Sequence, residues 1–154
     1  FEKFSGSVNF NEEELEKSSV EAQIEAASIN TREEGRNAHL RSADFLNAEK
    51  FPYLTFKSKR IEMVDKQRGR IYGDLTIRDI TKEVVLDTYY AGQSKSPDGK
   101  TSAGFTATTS INRTDWGLTW NVALETGGLL VGEEIKIEIE IEIVKQEAAE
   151  PAAA

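Results

Sequence analysis

Group transfer or hydrolysis needs a nucleophile with a base beside it, or two carboxylates placed across a bond. The candidates here are Ser42 and Ser110 as nucleophiles, Asp115 and Glu125 as a glycosidase-type pair, and His39, the only histidine, as a base. No motif sets a base and an orienting group beside either serine. Aspartate and glutamate together number 27, enough for pairs of them to arise by chance. Cysteine is absent, which removes disulfides, thiolate nucleophiles and cysteine-based metal sites together. A lone histidine also excludes a His-rich metal centre. The sequence therefore reads as non-catalytic, with no metal and no cofactor. His39 reads as a hydrogen-bonded structural residue that could also sense pH or meet a ligand.

A second chemistry is recognition of a polar head group, for which Arg41, Asn112, Arg113 and Asn121 are the candidate donors, with His39 beside them. Arginine suits a carboxylate or pyrophosphate because its donors form a fork. The plainer reading of the same residues is that Arg113 pairs with Asp115 and the asparagines cap turns. Trp116 and Trp120 stand four apart around Gly117. They are either core aromatics or the wall of a cavity, and each indole N–H needs an acceptor if buried. Phe45, Leu46, Phe51 and Phe56 carry the same two readings.

The elements that must position these residues are strands. Ile135, Ile137, Ile139, Ile141 and Ile143 fall on alternate positions, separated by Lys136, Glu138, Glu140 and Glu142. A period of two hides all five isoleucines on one face, whereas a helix would scatter them around its axis. At about 3.3 Å per residue this strand spans about 30 Å, and each buried isoleucine contributes roughly 1.5 to 3 kcal/mol before entropy is subtracted. Similar alternation marks strands around Phe1 to Phe10, Ser18 to Ala26, Leu54 to Met63, Arg70 to Arg78, Val84 to Ala91 and Thr101 to Ile111. Between Asn30 and Pro52 the alternation stops. Thr31 before Glu33 and Glu34, and Ser42 before Asp44, predict one or two short helical pieces, with Phe45, Leu46 and Phe51 to bury as a lid. Seven strands at hairpin spacing, without βαβ alternation, predict an all-β antiparallel barrel or sandwich.

Small residues recur at the inward-reading positions. Ala22, Ala26, Gly73, Ala103, Ala107 and Thr109 are interleaved with Ile24, Ile71, Leu75, Phe105 and Ile111. They either leave a cavity or fit the taper of a packed barrel, and composition alone does not separate the two.

With 154 residues the chain is long enough for one sizeable core. The formal net charge is −8 with no basic cluster, so nucleic acid and anionic membrane surfaces would be repelled. No apolar run approaches the roughly 20 residues that span a bilayer. Phe1 rather than Met opens the chain without a signal-like start, which leads us to expect that a leading piece was cut away and leaves the compartment open. The end, residues 145–154, is acidic and alanine-rich with nothing to bury, and is expected to be disordered.

Five segments resemble one known family. AHLRSADF (Ala38 to Phe45), FPYLTFKS (Phe51 to Ser58), GDLTIRDITKEVVLD (Gly73 to Asp87), AGFTATTSINRTDWGLTWN (Ala103 to Asn121) and LETGGLLVGEEIKIEIEIE (Leu124 to Glu142) are similar, in the same order, to the YceI-like proteins, lipocalin-like polyisoprenoid-binding proteins. The resemblance covers most of residues 1–144, which form one domain on this reading. It implies an eight-stranded antiparallel barrel with a short helical segment at one end, carrying an isoprenoid or similar long-chain lipid. It tips the small inward residues towards a cavity lined by Phe45, Leu46, Phe51, Phe56, Ile71, Gly73, Leu75, Ala103, Phe105, Ala107, Trp116, Trp120, Ile137 and Ile139. Members of that family usually begin with a further strand ahead of Phe4 to Gly6. Without that strand the barrel has a gap, the isoleucine strand borders it as an unpaired edge, and a homodimer through that edge is expected. Fatty acids and fatty amides are the nearest rival ligands, and a lipid-free interaction module is the third reading.

Overall fold

In the computed structural model, residues 1–11 and 13–146 are described. Seven strands form one antiparallel sheet in which each strand pairs with the next: β1 (Phe4–Asn9), β2 (Ser19–Glu25), β3 (Tyr53–Met63), β4 (Arg68–Ile77), β5 (Ile80–Lys95), β6 (Thr101–Asn112) and β7 (Glu134–Val144). One short helix, α1 (Glu34–Arg41), lies between β2 and β3. The sheet curls into a half-barrel with two free edges, β1 and β7. Eight strands were expected from the resemblance, and seven stand among the described residues. Of the alanine-rich end, residues 147–154 lie outside the described residues.

The period-two pattern decides which side faces in. On β4, Gly69, Gly73, Leu75 and Ile77 are buried; on β6, Ala103, Ala107 and Ile111 are buried. Register carries this row from strand to strand, with Ile71 opposite Leu86, Ala107 opposite Ile139 and Ile111 opposite Ile135. A one-residue slip would turn every one of these apolar side chains to solvent, so burial fixes the register. Two irregularities add curl. Pairing shifts between Ser58 and Arg60 on β3 and between Tyr90 and Gly92 on β5, where Gly92 takes φ +106°. An extra residue on one strand bends it and increases its twist.

Strand β5 is much longer than the Val84 to Ala91 read from its alternation. Arg78 and Asp79 alone connect Ile77 to its partner Ile80. Arg78 adopts φ +59°, the left-handed conformation that a two-residue hairpin demands at its first position. The turn is so tight that Thr81, Lys82 and Glu83 are already paired with β4.

The core gathers at one end of the curl. Phe45 and Leu46, from the segment after α1, pack with Leu54, Leu75, Ile77, Val84, Ile111, Trp116 and Leu118. Helix α1 is tethered beneath this plug by buried Asn37, whose Oδ1 accepts from the Thr31 amide at 2.7 Å and the Thr31 hydroxyl at 2.6 Å. The other end is crossed by three aromatic rings. Phe10, just past β1, meets Tyr90 and Phe105, each at 5.8 Å between ring centroids, and those two stack at 5.1 Å. Between plug and aromatic bridge runs an apolar trough.

Candidate ligand trough and its cap

The trough is the concave face of the sheet. Its floor is closely packed where two neighbours cover each strand. Phe56 lies over Gly73, and a Cβ on that glycine would also come within 2.7 Å of the Lys57 carbonyl oxygen. At this one small residue the room is taken by an aromatic ring rather than left open. Leu75, Leu86, Ala103 and Ala107 are buried, while Ile71, Phe105 and Phe56 are half-buried.

Towards the free edges the lining is less covered. On β7 none of the five isoleucines is fully buried, and Ile135 is 37% exposed. On β1, Phe4 stands opposite Ile24 in the register and so shares the concave face, yet it is 64% exposed. The apolar face is therefore continuous with an open seam between β1 and β7. Two other surface concavities, of about 410 and 490 Å³, lie at Lys3, Gln23 and Tyr53 and at Leu15, Met63 and Val64, away from the expected lining.

The cap is organised by Arg113. Its side chain is only 3% exposed and, instead of pairing with Asp115 as one reading had it, donates to main-chain carbonyls. Nε reaches Gly132 O at 2.8 Å, Nη1 reaches Leu118 O at 2.5 Å and Trp120 O at 3.0 Å, and Nη2 reaches Val131 O at 3.2 Å. The physical reason is that residues 117–133 form no ladder of their own with the sheet, so their buried carbonyls need donors, and a five-donor fork supplies them. Among the described residues the guanidinium makes no ion pair. It also lies 5.9 Å from the Phe45 ring centroid.

Around it the other candidates fall into place. Asn121 Nδ2 donates to Val131 O at 2.7 Å, and its Oδ1 accepts from the Val131 amide at 2.9 Å. Asn112 Oδ1 accepts from Thr114 N at 3.0 Å, capping the short turn Arg113–Trp116. Trp116 is buried and donates its indole N–H to Leu75 O at 3.0 Å. Trp120 packs edge-on to His39 at 4.4 Å and lies 5.5 Å from Phe45. His39 Nε2 contacts Asp44 Oδ2 at 2.9 Å, and Arg41 bonds Glu34 at 2.6 Å. The structure thus brings His39, Phe45, Arg113, Trp120 and Asn121 together in the cap. Arg41 and Asn112 face their own local partners. Phe51 is half-buried and its ring centroid stands 5.4 Å from Lys50 Nζ.

The serines do not meet the imidazole. Ser42 Oγ donates to the His39 carbonyl at 2.5 Å, and Ser110 sits opposite Lys136 on the outward face.

A family model described as the YceI-like domain matches residues 1–143. The chain belongs to the YceI-like family. Among relatives of this YceI-like chain, the UPF0312 protein SA2479 of Staphylococcus aureus strain N315 is 36% identical over 143 residues, covering 92% of this chain and 81% of the relative. The UPF0312 protein SAS2572 of strain MSSA476 matches to the same extent. Among solved structures, the Campylobacter jejuni YCEI protein superposes with a TM-score of 0.85 at 32% identity, over 96% of this chain and 84% of that one. Burkholderia cenocepacia BcnA, at 21% identity and a TM-score of 0.78 over 93% of this chain and 85% of its own, shares the fold.

Two trough residues escaped the sequence reading, Phe10 and Tyr90. Both were available to it: Phe10 continues the alternation Phe4, Gly6, Val8, and Tyr90 continues Val84, Leu86, Thr88. The carbonyl clamp of Arg113 left no comparable signal, because its partners are main-chain atoms and carry no residue type.

Proposed function

We propose that this YceI-like chain binds a long-chain apolar lipid, a polyisoprenoid or isoprenoid quinone, along its concave face and acts as a carrier or store without chemistry. The observation that carries this reading is the trough itself: a continuous apolar face whose outer rows on β1 and β7 are left half-covered. A lipid chain laid along it would remove that surface from water at about 25 cal/mol per Å², a driving force indifferent to chain chemistry. Fatty acids and fatty amides fit the same lining. Serines bonded to a carbonyl or turned outward, and a histidine committed to Asp44, favour binding over hydrolysis.

The same open seam favours a homodimer, since β1 and β7 each present a row of unpaired backbone groups to a second chain.

Native mass spectrometry of the purified protein, followed by organic extraction, tests both. A stoichiometric prenyl lipid is the expected result. An empty protein that also refuses added prenyl lipid overturns the carrier reading, and a strictly monomeric mass overturns the dimer. In uptake assays Phe105→Arg and Ala107→Trp should abolish binding. Thr106→Lys, on the outward face opposite Glu140, should leave it intact, and equal losses from both kinds would refute the assignment of faces.

A further inference from the structure

The segment between the cap and β7 forms a small hairpin that the lipid-binding reading does not use. Ala123 bridges Leu129, Leu130 N donates to Val122 O at 2.9 Å, and Leu124 N and Gly128 O meet at 3.0 Å. Gly127 and Gly128 take φ +89° and +84° and turn the chain. Val122, Leu124, Leu129 and Leu130 are 45, 41, 55 and 57% exposed. Pairing places Val122, Leu124 and Leu130 on one face of the hairpin and Leu129 on the other. No other stretch of this length among the described residues exposes so many large aliphatic side chains.

We infer that this hairpin docks the protein on a lipid surface, an inference that rests on the lipid-carrier reading and says where the lipid is exchanged. Three features favour a bilayer over a protein partner. A specific protein interface takes about 20 to 30 residues a side, and Val122 to Leu130 offers far less. Shallow insertion needs apolar side chains with the backbone already paired, and the hairpin closes its own hydrogen bonds. Its base is fixed, since Arg113 holds Leu118 O, Trp120 O and Val131 O while Asn121 clasps Val131. A fixed base presents the apolar face without an ordering cost on contact.

Charge narrows the surface further. Between Asn121 and Gly132 the only charged residue is Glu125, with Glu133 and Glu134 following and no cation. The surface that fits is zwitterionic, because anionic lipid would be repelled. The hairpin runs directly into β7, so docking would bring the start of the open seam to the bilayer.

Flotation of the full chain with phosphatidylcholine vesicles tests this. Wild type should float with the vesicles, and less so as phosphatidylserine is added. Leu129→Glu with Leu130→Glu should lower the bound fraction at least tenfold, and Leu130→Ser, carried alongside in case the double variant fails to fold, severalfold. Val64→Glu, at an equally exposed apolar residue in the β3–β4 turn, should change nothing. Failure of wild type to float, equal loss in the Val64 control, or a vesicle-independent dimer dispersed by the hairpin variants would overturn the inference, the last in favour of a second copy. Uptake of prenyl lipid from an ethanol dispersion, without vesicles, judges the carrier reading separately. A hairpin variant that takes up dispersed lipid but no longer extracts it from vesicles is the expected signature.

Discussion

The cap and the β7 edge of the apolar face are built from the same residue types and end up in different states. At the cap, leucine, isoleucine and valine from β3 to β6 are covered by Phe45, Leu46, Trp116 and Leu118 and are nearly sealed. Along β7 a row of five isoleucines, more apolar than any stretch in the cap, stays half-covered throughout. Composition does not separate them. What separates them is neighbours: a central strand has one on each side and a roof above, while β7 has β6 alone. Alternation specifies which face an apolar residue occupies, and topology specifies how far that face is removed from water.

The sharpest way to break the contrast is to remove the clamp that seals the cap. Arg113→Met keeps much of the volume but leaves the Gly132, Leu118 and Trp120 carbonyls without their donor, while Val131 O keeps Asn121 Nδ2. The expected loss is about 3 to 5 kcal/mol, since each buried carbonyl left unsatisfied costs roughly 1 to 3 kcal/mol while the desolvation cost of the guanidinium is recovered. Chemical denaturation would measure it; a loss below about 1 kcal/mol would mean that water replaces the guanidinium and the cap is looser than its burial indicates.

Next comes the same truncation made in both regions. Leu86→Ala, at a buried position on β5, should cost about 2 to 5 kcal/mol through lost transfer energy and the cavity left behind. Ile139→Ala, half-buried on β7, should cost about 1 kcal/mol, because less area returns to water and the open seam lets neighbours or solvent close the gap. Equal costs would show that β7 is covered in solution, and a drop in the Leu86 to Ile139 difference on adding prenyl lipid would show what covers it.

A smaller effect tests packing in the trough floor. Gly73→Ala places a methyl where the Phe56 ring lies and close to Lys57 O, so overpacking should destabilise by about 1 to 3 kcal/mol. Combining it with Phe56→Leu should recover part of that loss. Strict additivity in this double-mutant cycle would place the strain on the Lys57 backbone instead of the ring.

Much of this arrangement could be read in the chain. Alternation located all seven strands, and the inward rows of β4 and β6 followed from Ile71 to Ile77 and Ala103 to Ile111. The ends of elements were less legible, as β5 shows: Thr81, Lys82 and Glu83 carry no apolar signal, and their pairing is imposed by the tight Arg78–Asp79 turn. The cap was legible as a set of residues and illegible as a geometry. His39, Phe45, Arg113, Trp120 and Asn121 were singled out, but that Arg113 would choose carbonyls over Asp115 depends on where the loop 117–133 leaves its backbone, which no side-chain pattern encodes. The exposed hairpin was marked only by Gly127 and Gly128, since Val122, Leu124, Leu129 and Leu130 look the same in sequence whether buried or not.

The smallest effect lies outside both regions and serves as their control. In the turn joining β3 to β4, Asp65 Oδ1 accepts from the Gln67 amide at 2.8 Å and the Arg68 amide at 2.7 Å. These bonds favour the ionised carboxylate and hold its pKa below the ordinary value, Gln67 contributing most. A depressed folded-state pKa means that the stabilisation is complete above the unfolded-state value and is lost as pH falls through the folded-state one. Asp65→Asn, which keeps an acceptor but cannot titrate, should therefore flatten the acid limb of the stability curve below roughly pH 4 while changing little near neutrality. The turn meets the trough at its backbone, where the Tyr90 amide donates to Gln67 O at 2.6 Å, but the Asp65 carboxylate bonds the turn's own amides, so its titration should be the same with and without lipid. A lipid-dependent acid limb in wild type that vanishes in Asp65→Asn would mean that the trough and the β3–β4 turn move together, and the division between a sealed cap and an open seam would have to include the far end of the sheet.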